Sequence, residues 1–321
     1  MSNVVPSSSS ASRQGILVIG AGELGTSVSM ALSRRRAPES DGGGVTVLLR
    51  PSSTPARARL RSELADDGIA IEDADVSVAS QSELAAVMCR FHTVVSCIGF
   101  TAGPGTQRKL TEAALAAGVP RYIPWQFGCD YDAIGRGSPQ DLFDEQLDVR
   151  DLLRGQHNTE WIIVSTGMFT SFLFEPAFGI VDLSEPAVHA LGGWDTEVTV
   201  TTADDIGALT AEILYFTPPF ANQVVYVAGD TLSYGELADI VERVGGAPVI
   251  RTVWTIDHLL EDLEKHPADT MAKYRAVFAQ GKGVAWPKQS SFNAVHGFRT
   301  TGAEEWASTH IAPGPSTPSQ P

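Results

Sequence analysis

Six short β-rich runs follow one another through the first half of the chain, and a helix-forming stretch separates most of them from the next. Residues 15–19 lead through a glycine turn to a helical run at 24–35, and residues 45–49 lead to one at 55–66. Residues 69–72 precede a helix at 82–89, and 93–97 precede one at 105–117. Residues 121–124 then lead through a long loop and a further helix to 160–165. A strand that returns through a helix comes back parallel to its predecessor, so this alternation predicts an α/β fold with a doubly wound parallel sheet. The runs at 16–19 and 93–97 do not alternate polar with apolar residues, as expected of strands covered on both faces.

Composition narrows the class. The chain has 321 residues, enough for one core domain and a smaller lobe. With 43% hydrophobic and 19% charged residues it reads as a soluble globular protein rather than a collagen, a disordered chain or a membrane bundle. Lysine and arginine number 23 against 38 acids, a formal charge of 23 − 38 = −15 that disfavours nucleic acid as a partner. Cys89, Cys97 and Cys129 form no CxxC pair, which points to a reducing, cytoplasmic setting. The serine-rich arm 1–13 and the proline-rich tail 312–321 are expected to be disordered. The apolar segment 161–181 carries Glu175, Pro176 and several hydroxyls, so it reads as a buried strand entering an apolar loop, with no membrane partner.

The turn after the first strand is Gly20-Ala21-Gly22-Glu23-Leu24-Gly25, a GxGxxG that opens the first helix. The first glycine permits the tight turn, the second lets a pyrophosphate approach the backbone, and the third lets helix pack on strand. A dinucleotide-binding Rossmann domain is therefore expected over 14–166. At the end of the second strand, where NAD sites carry an acid for the ribose hydroxyls, stands Arg50, followed by Pro51, Ser52 and Ser53. A cation with hydroxyls suits a 2′-phosphate, so the cofactor is read as NADP(H), the alternative being a solvated strand-end arginine. Arg34, Arg35 and Arg36 end the preceding helix and read as partners of its dipole.

Ser138, Pro139 and Asp141 resemble an N-cap, first-turn proline and N3 acid, and Gly155 a C-terminal stop, which predicts a helix over 139–154. Leu142, Gln146, Val149 and Leu153 form its inward stripe. Gln146 is an amide on an otherwise apolar face.

These segments together resemble the NmrA-like, isoflavone-reductase-like branch of the atypical short-chain dehydrogenases, most closely its fungal members. The resemblance is carried by the glycine motif, by residues 47–52, by 93–99 with Gln107, and by 121–128 with Asp130, all in the family's order; it is good over 15–174 and thin beyond. It implies that Ile98, Gly99 and Phe100 line the nicotinamide half of the cofactor, and that 124–127, with Phe127, border the hydride-transfer site. It also implies a substrate wall at 167–173, where Met168, Phe169 and Phe172, with Trp125 before them, are candidates for aromatic contacts; core packing accounts for the first three equally well. Two positions depart from the family. A serine and glutamate usually precede Phe-Gly, and here Trp125 and Gln126 do. The plant reductases carry a lysine, held to be the general acid or base, where this chain has Gln146. Glutamine does not titrate, so Gln146 is a candidate oxyanion donor or a buried amide, and Tyr131 is the first candidate proton donor, with Asp130, Asp132 and water behind it.

Other chemistry lacks support. The seven histidines show no HxxxH or HExxH spacing, so no metal site is expected, and the G-x-S-x-G frame of hydrolases is missing. In the second half, 197–201 reads as a strand and Thr202 as the cap of a helix with Asp204 and Asp205 in its first turn. The segment 197–216 resembles a return to the cofactor domain, while 167–196 and 217–311, including a strand at 224–227, are assigned to a smaller substrate lobe. A homodimer through that lobe is compatible with the sequence. The leading expectation is an NADPH-dependent reductase of an aromatic or conjugated small molecule, a ketone, enone or benzylic carbon. The alternatives are a redox-neutral cyclase or isomerase on the same scaffold, and an NADP-sensing regulatory protein.

Overall fold

The computed structural model describes residues 13–35 and 43–311; the arm before Arg13, Arg36 and the tail 312–321 lie outside the described residues. The first half runs β1 (Ile16–Ile19), α1 (Glu23–Arg35), β2 (Val45–Leu49), α2 (Pro55–Asp66), β3 (Ala70–Asp73), α3 (Gln81–Met88), β4 (Thr93–Ser96), α4 (Thr106–Ala116), β5 (Arg121–Ile123), α5 (Tyr131–Ile134), α6 (Leu142–Arg154) and β6 (Glu160–Ser165). Then follow β7 (Met168–Phe169), β8 (Val181–Asp182), β9 (Ala187–Leu191), β10 (Glu197–Thr201), α7 (Ala203–Leu214), β11 (Gln223–Tyr226), β12 (Asp230–Ser233) and α8 (Tyr234–Gly245). The chain closes with β13 (Ile250–Trp254), α9 (Ile256–Lys265), α10 (Thr270–Phe278), α11 (Phe292–Val295) and α12 (Ala303–His310).

The main sheet is parallel throughout, in the order β11-β6-β5-β4-β1-β2-β3. The six strands expected from the alternation are all in it. Successive residues of β1 face opposite ways: Ile16 and Val18 pack with Val28 and Leu32 of α1, while Leu17 and Ile19 pack with Leu84 and Leu110 on the other face. Each such fully buried side chain contributes about 1.5–3 kcal/mol. The chain winds outward in both directions from β1, which opens a crevice beyond the carboxyl ends of β1 and β4.

Three expectations are corrected. The strand at 224–227 does not belong to a separate lobe: β11 pairs in parallel with β6, Gln223 opposite Ile162 and Tyr226 opposite Ser165. It supplies partners to the outer edge of β6, whose backbone groups would otherwise be unpaired. The return of 197–216 is made by its helix alone. β10 lies in a small sheet, β12-β10-β7, while α7 packs on α1 so closely that a Cβ on Gly207 would stand 2.6 Å from the Ser27 carbonyl carbon. Finally, α6 begins at Leu142 rather than 139. The Ser138 hydroxyl bonds the Gln140 carbonyl, and Gln140, fully buried, reaches toward the Thr270 carbonyl, so this stretch is held by tertiary contacts instead of a local cap.

The remaining strands form a third sheet, β13-β9-β8. Thr202 caps α7 by accepting from Asp205 N, and Ser233 with Glu236 forms a capping box on α8. Segment 161–181 forms β6, β7, a 3-10 turn and the start of β8, and among the described residues no helix is long and apolar enough to cross a membrane.

Candidate active site

The glycine turn separates what the chain itself demands from what a ligand would. Gly20 has φ 94°, and a Cβ there would lie 2.8 Å from Ile98 Cγ1. A Cβ on Gly25 would overlap the Gly20 carbonyl oxygen. Nothing stands within 4 Å of a Cβ on Gly22. The first and third glycines are thus required by packing, and the second leaves an open approach to the unpaired N–H groups at the start of α1. Leu24 is buried and anchors that helix end, while Glu23 is exposed beside the crevice. These residues fit a dinucleotide pyrophosphate.

Arg50, just past β2, is exposed, and its charge joins the Ser77 hydrogen bonds in lowering the Asp75 pKa. Arg34 lies 3.7 Å from Asp67, and Arg35 lies 3.0 Å from Glu212, so these helix-end arginines are engaged elsewhere. Arg50 remains available for an anion.

A cavity of about 760 Å³ opens at the carboxyl ends of β4 and β5, between the core of the main sheet and that of the second half. It brings together Glu23, Gly99, Phe100, Trp125, Phe127, Tyr131, Met168, Phe169 and Phe172. Ile98 lies beneath Gly20, with its carbonyl accepting from Gln107 Nε2 at 2.8 Å, and is not on the wall. Trp125 meets Phe100 edge to face, with ring centres 4.6 Å apart, and a Cβ on Gly99 would stand 3.0 Å from its ring. The sequence reading missed the far wall. Tyr274 and Phe278 of α10 complete it, Tyr274 meeting Phe143 at 5.9 Å and Phe172 at 5.8 Å. Only the apolar spacing of α10 hinted at an inward face, and nothing in it named the cavity.

Tyr131 is 2% exposed, and its Oη lies so close to the Gly128 Cα that a Cβ there would collide with it. No other described residue hydrogen-bonds that oxygen. Burial, then Cys129 and Tyr274, push its pKa well above the usual phenol value, so it stays a neutral O–H donor. Burial pushes the Cys129 thiol up to about 12 and raises Tyr274 likewise. Among the described residues, no lysine, arginine or histidine lines the cavity.

Gln146 is fully buried, as its stripe predicts, but it is not on the cavity wall; Phe143 occupies that side of α6. Gln126 Nε2 donates to both the carbonyl and the Oε1 of Gln146 at 2.8 Å, and Arg150 Nε donates to Gln126 Oε1 at 2.8 Å. Arg150, also fully buried, continues through Nη1 to Asp132 at 2.7 Å. Its spacing of four residues from Gln146 was the available signal for an inward charge. A hydrogen bond from Arg154, reinforced by the Arg150 charge, holds the Asp132 carboxyl down at about 2. Asp130 accepts from the Tyr226 hydroxyl at 2.8 Å. Among the described residues no cluster of His, Cys, Asp or Glu could hold a metal ion.

The parallel sheet, glycine turn and crevice define a Rossmann-like α/β protein. The chain belongs to the NmrA-like family, whose model matches residues 12–307. It is similar to an NmrA-like family domain-containing oxidoreductase of Gibberella moniliformis, 47% identical over 91% of this chain and 96% of that one. It is also similar to an isoflavone reductase homolog of Zea mays, 26% identical over 83% and 87%. Among solved structures, an isoflavone reductase shares the fold with TM-score 0.76 and 17% identity, covering 94% of this chain and 100% of that one. The leucoanthocyanidin reductase of Vitis vinifera with NADPH shares it with TM-score 0.75 and 20% identity, over 91% and 97%.

Proposed function

We propose that the protein is an NADPH-dependent reductase of an uncharged aromatic or conjugated small molecule, a ketone, enone or activated benzylic carbon. The observation that carries this reading is one aromatic cavity bordered at once by Glu23 of the glycine turn and by Gly99, Phe100 and Trp125 at the switch point of the sheet. Relatives named as oxidoreductases, and a similar fold solved with NADPH, support it.

In this reading Gly20, Gly22, Gly25 and the start of α1 hold the pyrophosphate, and Arg50 holds the 2′-phosphate. Gly99, Phe100 and Phe127 would border the nicotinamide, which when bound supplies a hydride, while Ile98 supports the turn from beneath Gly20. Trp125, Met168, Phe169 and Phe172 grip the substrate's ring face and exclude water. Tyr131 gives its phenolic proton to the substrate oxygen, keeping the O–H electron pair, and is reprotonated from solvent. Gln146, off the wall, is assigned no contact with substrate.

Titration of the purified protein with NADPH and NADH, followed by NADPH consumption against aryl ketones, enones and benzylic ethers, tests the proposal. Preferred NADPH binding with stoichiometric oxidation is the expected result. Substrate conversion with NADPH unconsumed would establish the redox-neutral enzyme instead, and binding without any conversion the NADP sensor.

A further inference from the structure

Among the described residues Arg150 is the only fully buried charged side chain. A guanidinium at that depth is costly to desolvate, and a well-packed apolar residue in its place is often neutral or stabilising. Its partners are uneven. Nη1 meets Asp132 at 2.7 Å and Asp130 at 3.5 Å, Nε meets Gln126 at 2.8 Å, and Nη2 has no partner. The group is held firmly on one side by two carboxylates and an amide, while one of its donors is left without a partner.

What it faces is Tyr131. The guanidinium carbon lies 5.3 Å from the centre of that ring, within the range of a cation–π contact. On another side the ring meets Phe143 edge to face at 4.9 Å, and its Oη is fitted against Gly128 at the cavity wall. Arg150 itself does not reach the cavity. The cation therefore stands over the face of a ring that, together with Gly128, lines the ligand space.

We propose that Arg150 is a positioning residue for Tyr131: it fixes the ring and, through it, strengthens the phenol as a hydrogen-bond and proton donor to the substrate oxygen. This rests on Tyr131 being the donor. As the proton leaves, negative charge grows on a phenol enclosed by apolar side chains, and a preplaced cation behind the ring stabilises it without reorganisation. Asp132 and Gln126 act one step further back, holding the guanidinium in place. Gln126 suits this task because its amide oxygen accepts from Nε without adding a further negative charge to the two carboxylates already beside Nη1.

The test compares two ligands in the full-length protein by quenching of tryptophan fluorescence: benzophenone, and diphenylmethane, in which CH2 replaces the carbonyl. The preference for the ketone should fall about tenfold in Tyr131→Phe. It should fall about three- to tenfold in Arg150→Met and in Gln126→Glu, the second variant keeping the guanidinium should the first fail to fold. In the double variant Tyr131→Phe/Arg150→Met no further loss should appear, because the arginine acts through the phenol. Equal weakening of both ligands in Arg150→Met and Gln126→Glu, or an undiminished arginine effect on the Tyr131→Phe background, overturns the proposal alone. An unchanged ketone preference in Tyr131→Phe overturns the donor assignment and this proposal with it.

Discussion

Gln126 donates to Gln146 Oε1 at 2.8 Å, and it is held in that orientation because its own Oε1 accepts from Arg150 Nε, which can only donate. The consequence passes down the line: Gln146 must accept, and its Nε2 is left buried without a partner. The two amides are therefore unequal. Gln126→Ala strips a buried charge and a buried amide of partners and should cost about 3 kcal/mol in urea unfolding. Gln146→Leu removes an orphaned donor and leaves Gln126 its bond to the backbone carbonyl, so stability should change by less than about 1 kcal/mol and ligand binding should persist. Loss of binding in Gln146→Leu would return that side chain to the site.

The glycines of the turn should respond to alanine in opposite ways. Gly25→Ala forces a Cβ onto the Gly20 carbonyl and should destabilise the apoprotein by about 3 kcal/mol or more. Gly22→Ala meets no protein atom and should leave the melting temperature unchanged, while NADPH affinity drops at least about tenfold. Thermal shift with and without NADPH reads both effects. Unaltered NADPH affinity in Gly22→Ala would contradict the placement of the pyrophosphate.

Arg50→Glu is an exposed change that replaces an attraction to the exposed Asp75 with a repulsion, so its stability should stay within about 1 kcal/mol of the wild type. Its preference for NADPH over NADH should fall about ten- to a hundredfold, the worth of a charge-assisted hydrogen bond to phosphate. Calorimetric titration with both cofactors checks this, and an unaltered ratio would make Arg50 a solvated strand-end residue.

The carboxyl of Asp132 is held down at about 2, mainly by its hydrogen bond with Arg154 and further by the Arg150 charge, against an ordinary value of 3.8. Because the folded-state pKa is the lower one, the stabilisation is complete above about pH 4 and is lost as pH falls toward about 2. Asp132→Asn should be less stable at neutral pH and show a shallower acid limb in urea midpoints between those values. Parallel acid limbs in the two proteins would remove Asp132 from the account of acid sensitivity.

The sequence by itself determined the parallel sheet, the glycine turn and the cap at Thr202. These follow from local chemistry: alternation forces crossovers, a positive φ admits glycine, and a hydroxyl within reach satisfies the first N–H groups of a helix. The family resemblance implied a substrate wall of Trp125, Met168, Phe169 and Phe172, and the structure brings these together with Tyr131 around one cavity. Only the tertiary structure decided the rest. β11 joined the main sheet because the edge of β6 lay open to it, and Tyr274 reached the cavity because α10 folds back across α6. Gln146 illustrates the limit most directly. Helical periodicity says that a residue points inward, but an inward direction is shared by the cavity wall and by the packed interior beside it. Gln126 and Arg150, from distant and neighbouring turns of the chain, assigned Gln146 to the interior and left the cavity to Tyr131.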